Sequence, residues 1–367
     1  MNVFRFVQAG LFIGLFFAVS SLAPSRSAGP PDLKQIPFPV WQNEILASGV
    51  SIGAPSLALD PEGNPHIAYG YNGLFHTWYD GLEWHTENLD PMYLGDHGPL
   101  IAVDDWGTIV IADIVDGRVM VHTQLPGMAW ELAEVPLLGA IEPQWIDLAL
   151  DSNGAPHVVI GSFDNGEPYF IYANKTPAGW LANIIDTELS SDPLSIALDS
   201  HDWPTVLYAR GRYSYEGVTL WLARHTGNTW VHERVESPHC PGSIHSQQIS
   251  PIALDANDKV HAVLVDECDG KLKYLRETTA GWETNLIADQ GGNASLMLDN
   301  TDVPHVVYQS FELGQIYATL TSAGWATTFI QSAEDAYYNV LALDQSGAAH
   351  IASTGKNIQY ATNTSGP

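Results

Sequence analysis

The sequence predicts an all-β protein: a seven-bladed β-propeller of four-stranded antiparallel blades, its ring closed by an N-terminal strand around Trp41 that completes the last blade. Three observations carry this reading. A short signature occurs seven times, the copies recur at propeller-like intervals, and a tryptophan opens the fourth strand of six copies while a seventh lies near the N-terminus.

The signature is apolar-x-apolar-Asp, followed by a turn and an alternating apolar run. Its copies are Ser56-Leu-Ala-Leu-Asp60, Leu100-Ile-Ala-Val-Asp104, Asp147-Leu-Ala-Leu-Asp151, Ser195-Ile-Ala-Leu-Asp199, Pro251-Ile-Ala-Leu-Asp255, Ser295-Leu-Met-Leu-Asp299 and Val340-Leu-Ala-Leu-Asp344. The aspartates are 44, 47, 48, 56, 44 and 45 residues apart, and periods of roughly 40 to 45 with several short strands each mark propeller blades. In each copy the first strand ends at the Asp, a turn such as Pro61-Glu-Gly-Asn-Pro65 reverses the chain, and a second strand such as His66-Ile-Ala-Tyr69 returns. Gly and Asn supply the unusual φ such turns need. A third strand follows (Phe75 to Tyr79, Phe170 to Ala173, Leu272 to Leu275, Ile316 to Thr319), then a fourth opened by Trp84, Trp130, Trp180, Trp230, Trp282 or Trp325. No copy has sustained helical periodicity.

The seventh copy has no fourth strand of its own after Ile358-Gln-Tyr-Ala361. Val40-Trp41-Gln-Asn-Glu-Ile45-Leu46 supplies the missing pattern. The expectation is therefore a ring that joins the chain ends and leaves only short, protected edges.

Residues 1–28 read as a secretory signal peptide: Arg5, then an apolar stretch from Phe6 to Leu22, then small residues from Ser20 to Ala28. A membrane anchor of roughly 18 apolar residues is the rival reading, but the small-residue patch looks like a cleavage region. Residues 29–367 form the single propeller domain, expected to be secreted, extracellular or periplasmic, with no membrane span once the leader is removed. Without Arg5 and Arg26 the mature chain keeps 12 of its 14 Lys and Arg against 42 carboxylates, a formal charge near -30. That acidity excludes nucleic acid as a natural partner.

The seven aspartates are expected to anchor turns by accepting backbone N–H bonds, because one active site does not need seven. The second-strand histidines His66, His157, His261, His305 and His350 alternate with Val110 and Thr205 at the same place, so packing dominates there. The fourth-strand tryptophans are expected to wedge between blades.

Function is then expected where the copies differ. The links between blades and the second-to-third loops emerge on one face, and they gather Asp96, His97, Trp145, His239, His245, Tyr337 and Tyr338 on links, with Arg210, Arg212, Tyr213, Tyr215, Asp266 and Glu267 on loops. Aromatic platforms beside hydrogen-bonding groups suit sugars, and also protein partners. Cys240 and Cys268, the two cysteines, fall on the same face of the fifth blade and are expected to form a disulfide.

Asp96-His97-Gly98-Pro99-Leu-Ile-Ala-Val-Asp104, followed by Trp106-Gly107, resembles the repeat that carries an active-site His in secreted propeller polysaccharide lyases such as ulvan lyases. That resemblance implies proton abstraction from a uronate by a pair of His with a Tyr and an Arg. His97 is the residue that carries over; the place of the second His is taken by Asp113-Ile114-Val115. The wider repeat, Leu-Ala-Leu-Asp-x-x-Gly-x-Pro-His, is similar to those of many bacterial surface propellers. For an enzyme, the sequence offers His97 or His245 as general base, Tyr213 or Tyr215 as acid, and Arg210 or Arg212 to hold a carboxylate. The expected function is a secreted recognition module for a carbohydrate or extracellular protein at one loop face. The alternative is a polysaccharide lyase, ahead of a glycosidase, at that face. The expected state is a monomer, with no cofactor beyond, at most, a structural calcium ion.

Overall fold

The structure, a computed structural model, describes residues 40–48, 53–70, 72–93, 98–138, 142–164, 167–187, 195–210, 219–235, 252–266, 270–332 and 337–364, without the side chains of 163–168 and 266. The expected leader, residues 1–28, lies outside them.

Seven four-stranded antiparallel sheets follow one another along the chain, and among the described residues every strand belongs to one of them. The first strands touch in a closed cycle: Ser56–Leu59, Leu100–Val103, Glu142–Leu150, Ser195–Leu198, Ile252–Leu254, Gly292–Leu298, Tyr338–Leu343 and back to the start. They form the inner ring of the propeller. The closing sheet is mixed in origin, as expected: Gln42–Ser48 pairs with Asn357–Thr362, Gln42 opposite Thr362 and Ser48 opposite Asn357.

Burial follows strand position. Second strands such as Pro65–Gly70 and Pro204–Arg210 are buried along almost their whole length, as strands covered on both faces must be. Outer strands such as Gly281–Ala288 are largely exposed. Between blades, successive apolar clusters pack one sheet on the next; Val158 and Ile160 of the third blade meet Val110, Ala112 and Ile114 of the second. The fourth-strand tryptophans sit in these seams. Trp230 stands edge-on to Tyr172 of the preceding blade at 5.4 Å, Trp325 to Tyr274 at 5.4 Å and Trp41 to Tyr317 at 5.2 Å.

The turn aspartates anchor their turns. Asp299 Oδ1 accepts from Thr301 N–H at 2.8 Å and Val303 N–H at 2.9 Å. Asp104, Asp151, Asp199, Asp255 and Asp344 make the same two bonds, and Asp60 makes the second of them, with Asn64. Three residues after each Asp the backbone turns left-handed. Four blades place Gly there, and the fourth to sixth place Asp202, Asp258 and Asp302 at φ 61°, 58° and 62°. The strain on these three is offset: Asp202 accepts from Ser152 N–H at 2.9 Å, Asp258 from Ser200 N–H at 2.8 Å and Asp302 from Ala256 N–H at 3.1 Å, each donor in the preceding blade.

The second-strand histidines are buried, as expected, but packing is not their whole role. His157 Nδ1 lies 2.7 Å from the Tyr172 hydroxyl and His261 Nδ1 2.5 Å from that of Tyr274, while the far ring nitrogens face Asp151 and Asp255 at 3.7 and 3.6 Å. His305 and Tyr317, and His350 and Tyr360, repeat the arrangement. In the first blade His76 replaces the tyrosine, 3.0 Å from His66. Burial holds all five imidazoles below the usual histidine range, His66 at about 4, so they are neutral at pH 7. The unit is Asp–His–Tyr, and it is structural.

One boundary differs from expectation. Trp145, expected in a blade link, belongs to the first strand of the third blade, Glu142–Leu150. The second and third strands there, Pro156–Asp164 and Glu167–Thr176, run long, and a bulge between Pro143 and Trp145 lets the link join the ladder.

Candidate functional site

The loop end of the propeller carries the second-to-third loops and the blade links. His97, Asp96, Arg212, Tyr213, Tyr215, His239, His245, Glu267 and both cysteines, Cys240 and Cys268, lie outside the described residues, as does the side chain of Asp266. Arg210, Trp145, Tyr337 and Tyr338 are described, and all four sit at or near this end. Gly98, next to His97 in sequence, is tightly set: a Cβ there would lie 1.9 Å from the Ala54 carbonyl oxygen.

Non-repeating polar groups line three seams at this end. In the seam between the third and fourth blades, Asp186 ends one outer strand and its Oδ2 accepts from the Tyr208 hydroxyl at 2.7 Å and from Arg210 Nε at 3.0 Å, with Arg210 Nη2 closer still. The single Tyr208 proton is spent on Asp186, so His232 Nδ1, 2.8 Å away, donates to the tyrosine oxygen. Burial, then the Asp186 charge, pushes the Tyr208 hydroxyl far above the ordinary tyrosine range. Burial also lowers His232 and keeps it neutral. The Arg210 guanidinium lies 4.1 Å over the Trp221 ring. The result is a fixed cation–anion pair with an aromatic face, held by a hydrogen-bonded relay.

Between the first and second blades lies Asp113, 1 % exposed, with neither carboxyl oxygen hydrogen-bonded among the described residues. His122 Nε2 is 3.8 Å away. Burial, then the negative charge of Asp90, pushes Asp113 up to about 7. This is the place that the lyase resemblance gives to a second imidazole, and it holds a protonatable carboxyl. A lone Asp interrupting Ile109-Val-Ile-Ala-Asp-Ile-Val115 is a signal the sequence carried.

Between the sixth and seventh blades the groups are amides and rings. Asn293 Nδ2 donates to the Tyr337 carbonyl at 2.6 Å, Asn339 Nδ2 to the Asn293 carbonyl at 3.2 Å, and Gln315 Nε2 to Asn339 Oδ1 at 2.6 Å. Above them Tyr337 is half exposed and stands edge-on to Tyr338 at 4.9 Å. Phe311 and Leu313, on the turn between the second and third strands of the sixth blade, are exposed. The signal for these two was an apolar pair placed inside a turn, Ser310-Phe-Glu-Leu-Gly314.

The opposite end has a different character. A cleft of about 700 Å³ runs across the turns of the seventh, first and second blades, lined by Glu44, Asp60, Glu62, Asp104, Asp344 and Trp84 among others. Three of these carboxylates are the turn anchors described above. Among the described residues no three His, Cys, Asp or Glu side chains converge to hold a metal.

No protein-family model and no curated protein matches the chain. Solved structures do match. A catalytically inactive virginiamycin B lyase from Staphylococcus aureus, determined with quinupristin, is 12% identical at a TM-score of 0.57, covering 88% of this chain and 99% of that one. An Aleuria aurantia lectin variant in complex with Fucα1-6GlcNAc is 9% identical at 0.52, covering 78% and 98%. AofleA from Arthrobotrys oligospora is 9% identical at 0.52, covering 88% and 92%. At such identities the likeness is one of fold, and this chain's fold is the seven-bladed β-propeller.

Proposed function

We propose that the chain is a secreted recognition module that binds carbohydrate at one asymmetric site on the loop end. One observation carries this reading: the turn end repeats the same Asp anchor in all seven blades and a His beside it in five, whereas the loop end carries a different polar or aromatic set in each of three seams. A structural ring needs the first; the second is what a single ligand site requires. Fold likeness to a lectin solved with a fucosylated disaccharide is consistent with this. The fold itself hosts other activities.

Polysaccharide lyase activity is the second reading, favoured by the His97 motif and by fold likeness to a protein named as a lyase. A glycan array run beside an ultraviolet assay for unsaturated products separates the two. Binding without product formation supports the module. Cleavage that disappears in His97→Ala, with the fold kept, supports the lyase; no binding and no cleavage on a broad panel rejects both.

A further inference from the structure

We infer that the ligand platform is the seam between the sixth and seventh blades, and that it takes a neutral sugar, rich in hydroxyl groups and lacking a carboxylate. The inference rests on the carbohydrate reading and narrows it to a place and a chemical class.

Strand register builds the platform. Gln309 pairs with Gln315 and Gln315 with Gln331, so three glutamines cross the sixth blade in one row at its loop end. Paired residues of antiparallel strands share a face. This face meets the seventh blade, where Gln315 reaches Asn339 and Gln331 Nε2 reaches Ser353 Oγ at 3.1 Å.

The amide orientations follow from the hydrogen bonds themselves. Asn339 must donate through Nδ2 to the Asn293 carbonyl, which leaves its Oδ1 as an acceptor and fixes Gln315 as the donor to it. Gln309 Nε2 likewise donates to the Ser310 carbonyl at 3.3 Å. Gln309 Oε1 and Gln315 Oε1 are then left with no hydrogen bond among the described residues, on side chains only 4% and 0% exposed. Buried acceptors without donors are unfavourable. The chemistry that the seam lacks is an O–H or N–H donor.

Beside these acceptors stand two exposed rings. Phe311 is 69% and Tyr337 50% exposed. Both border the same two residues: a Cβ on Gly292 would lie 3.8 Å from Phe311 Cζ, and Asn293 holds the Tyr337 carbonyl. Apolar rings beside acceptors match a pyranose, whose C–H face stacks while its hydroxyl groups donate.

Charge selects the class. Glu312 lies exposed between Phe311 and Leu313, and the whole chain carries a formal charge of -28. A uronate placed here meets repulsion.

The test is calorimetric titration of the full secreted chain with xylohexaose, mannohexaose and maltohexaose, set against an oligogalacturonate. A neutral oligosaccharide should bind in preference to the acidic one. Phe311→Ala and Tyr337→Ala should each weaken it at least about tenfold. Gln309→Leu should lose affinity while keeping or raising the thermal midpoint, which a purely structural role would not produce. If the three variants bind like the parent while Arg210→Ala does not, or if the acidic sugar binds better, this inference is overturned and the carbohydrate reading stands. If no oligosaccharide of either kind binds, both fall.

Discussion

Trp84 of the first blade stands edge-on against Tyr360 of the last, ring centroids 5.1 Å apart at 69°, and its Nε1–H reaches Glu44 Oε2 at 2.9 Å on the N-terminal strand. One side chain thus touches both segments that close the ring. Trp84→Ala should cost about 2 to 3 kcal/mol, less than a fully buried tryptophan because part of the side chain stays in contact with solvent. Thermal unfolding of Trp84→Ala, Tyr360→Ala and the double variant checks this. A coupling of about 1 kcal/mol is expected between the two; strict additivity would refute the contact.

Asp113 sets a pH dependence. Its carboxyl is raised to about 7, by burial and then by Asp90, against a value near 4 in the unfolded chain. The folded state therefore holds this proton more tightly. The stability it contributes is whole below about pH 4 and is lost as pH rises through about 7, at most a few kcal/mol. Asp113→Leu should raise the thermal midpoint at pH 8 and not at pH 4. Equal shifts at both pH values would count against an ionisation cost.

The turn aspartates should behave alike. Replacing any one by Ala removes one or two backbone acceptor bonds, at about 1 to 2 kcal/mol each. For Asp299, burial works against ionisation, yet bonds from Val303, Thr301 and His305 outweigh it and hold the carboxyl at about 2. Its contribution is present above about pH 4 and lost as pH falls through about 2. Ligand affinity of the folded fraction should be unchanged in all seven variants, measured by titration at a temperature where each is folded.

If the chain is exported, as proposed, Cys240 and Cys268 should be joined, closing a loop worth roughly 3 kcal/mol in chain entropy. Intact mass before and after alkylation reads this directly. Two alkylated thiols without prior reduction would rule out the bridge.

The repeat made the architecture legible. Seven aspartates and seven tryptophans located every sheet, and Trp41 identified the strand that closes the last one. Burial and turn chemistry act over a few residues, so they leave a local mark. The site left a fainter one. Asp186, Tyr208 and His232 are distant in the chain and look like ordinary strand residues; only the packing of two blades brings them to one carboxylate. The glutamine row is likewise a product of register. Tyr337 and Tyr338 were readable because two adjacent rings before a signature strand are conspicuous. Gln309 and Gln315 lie inside strand patterns and were not. The Asp–His–Tyr unit was half visible: the histidine repeats in step with the Asp, but its tyrosine sits on a third strand whose spacing varies.

The pairing of Gln42 with Thr362 also sets a timetable. These partners are separated by roughly 300 residues, which at about 5 to 20 residues per second is tens of seconds of ribosome time. For that interval the first strand has emerged and its mate has not been made. Its unpaired edge must be kept from other chains until Thr362 has been made, so the last blade is assembled after all the others have been translated and is the step at which a holdase has most to offer.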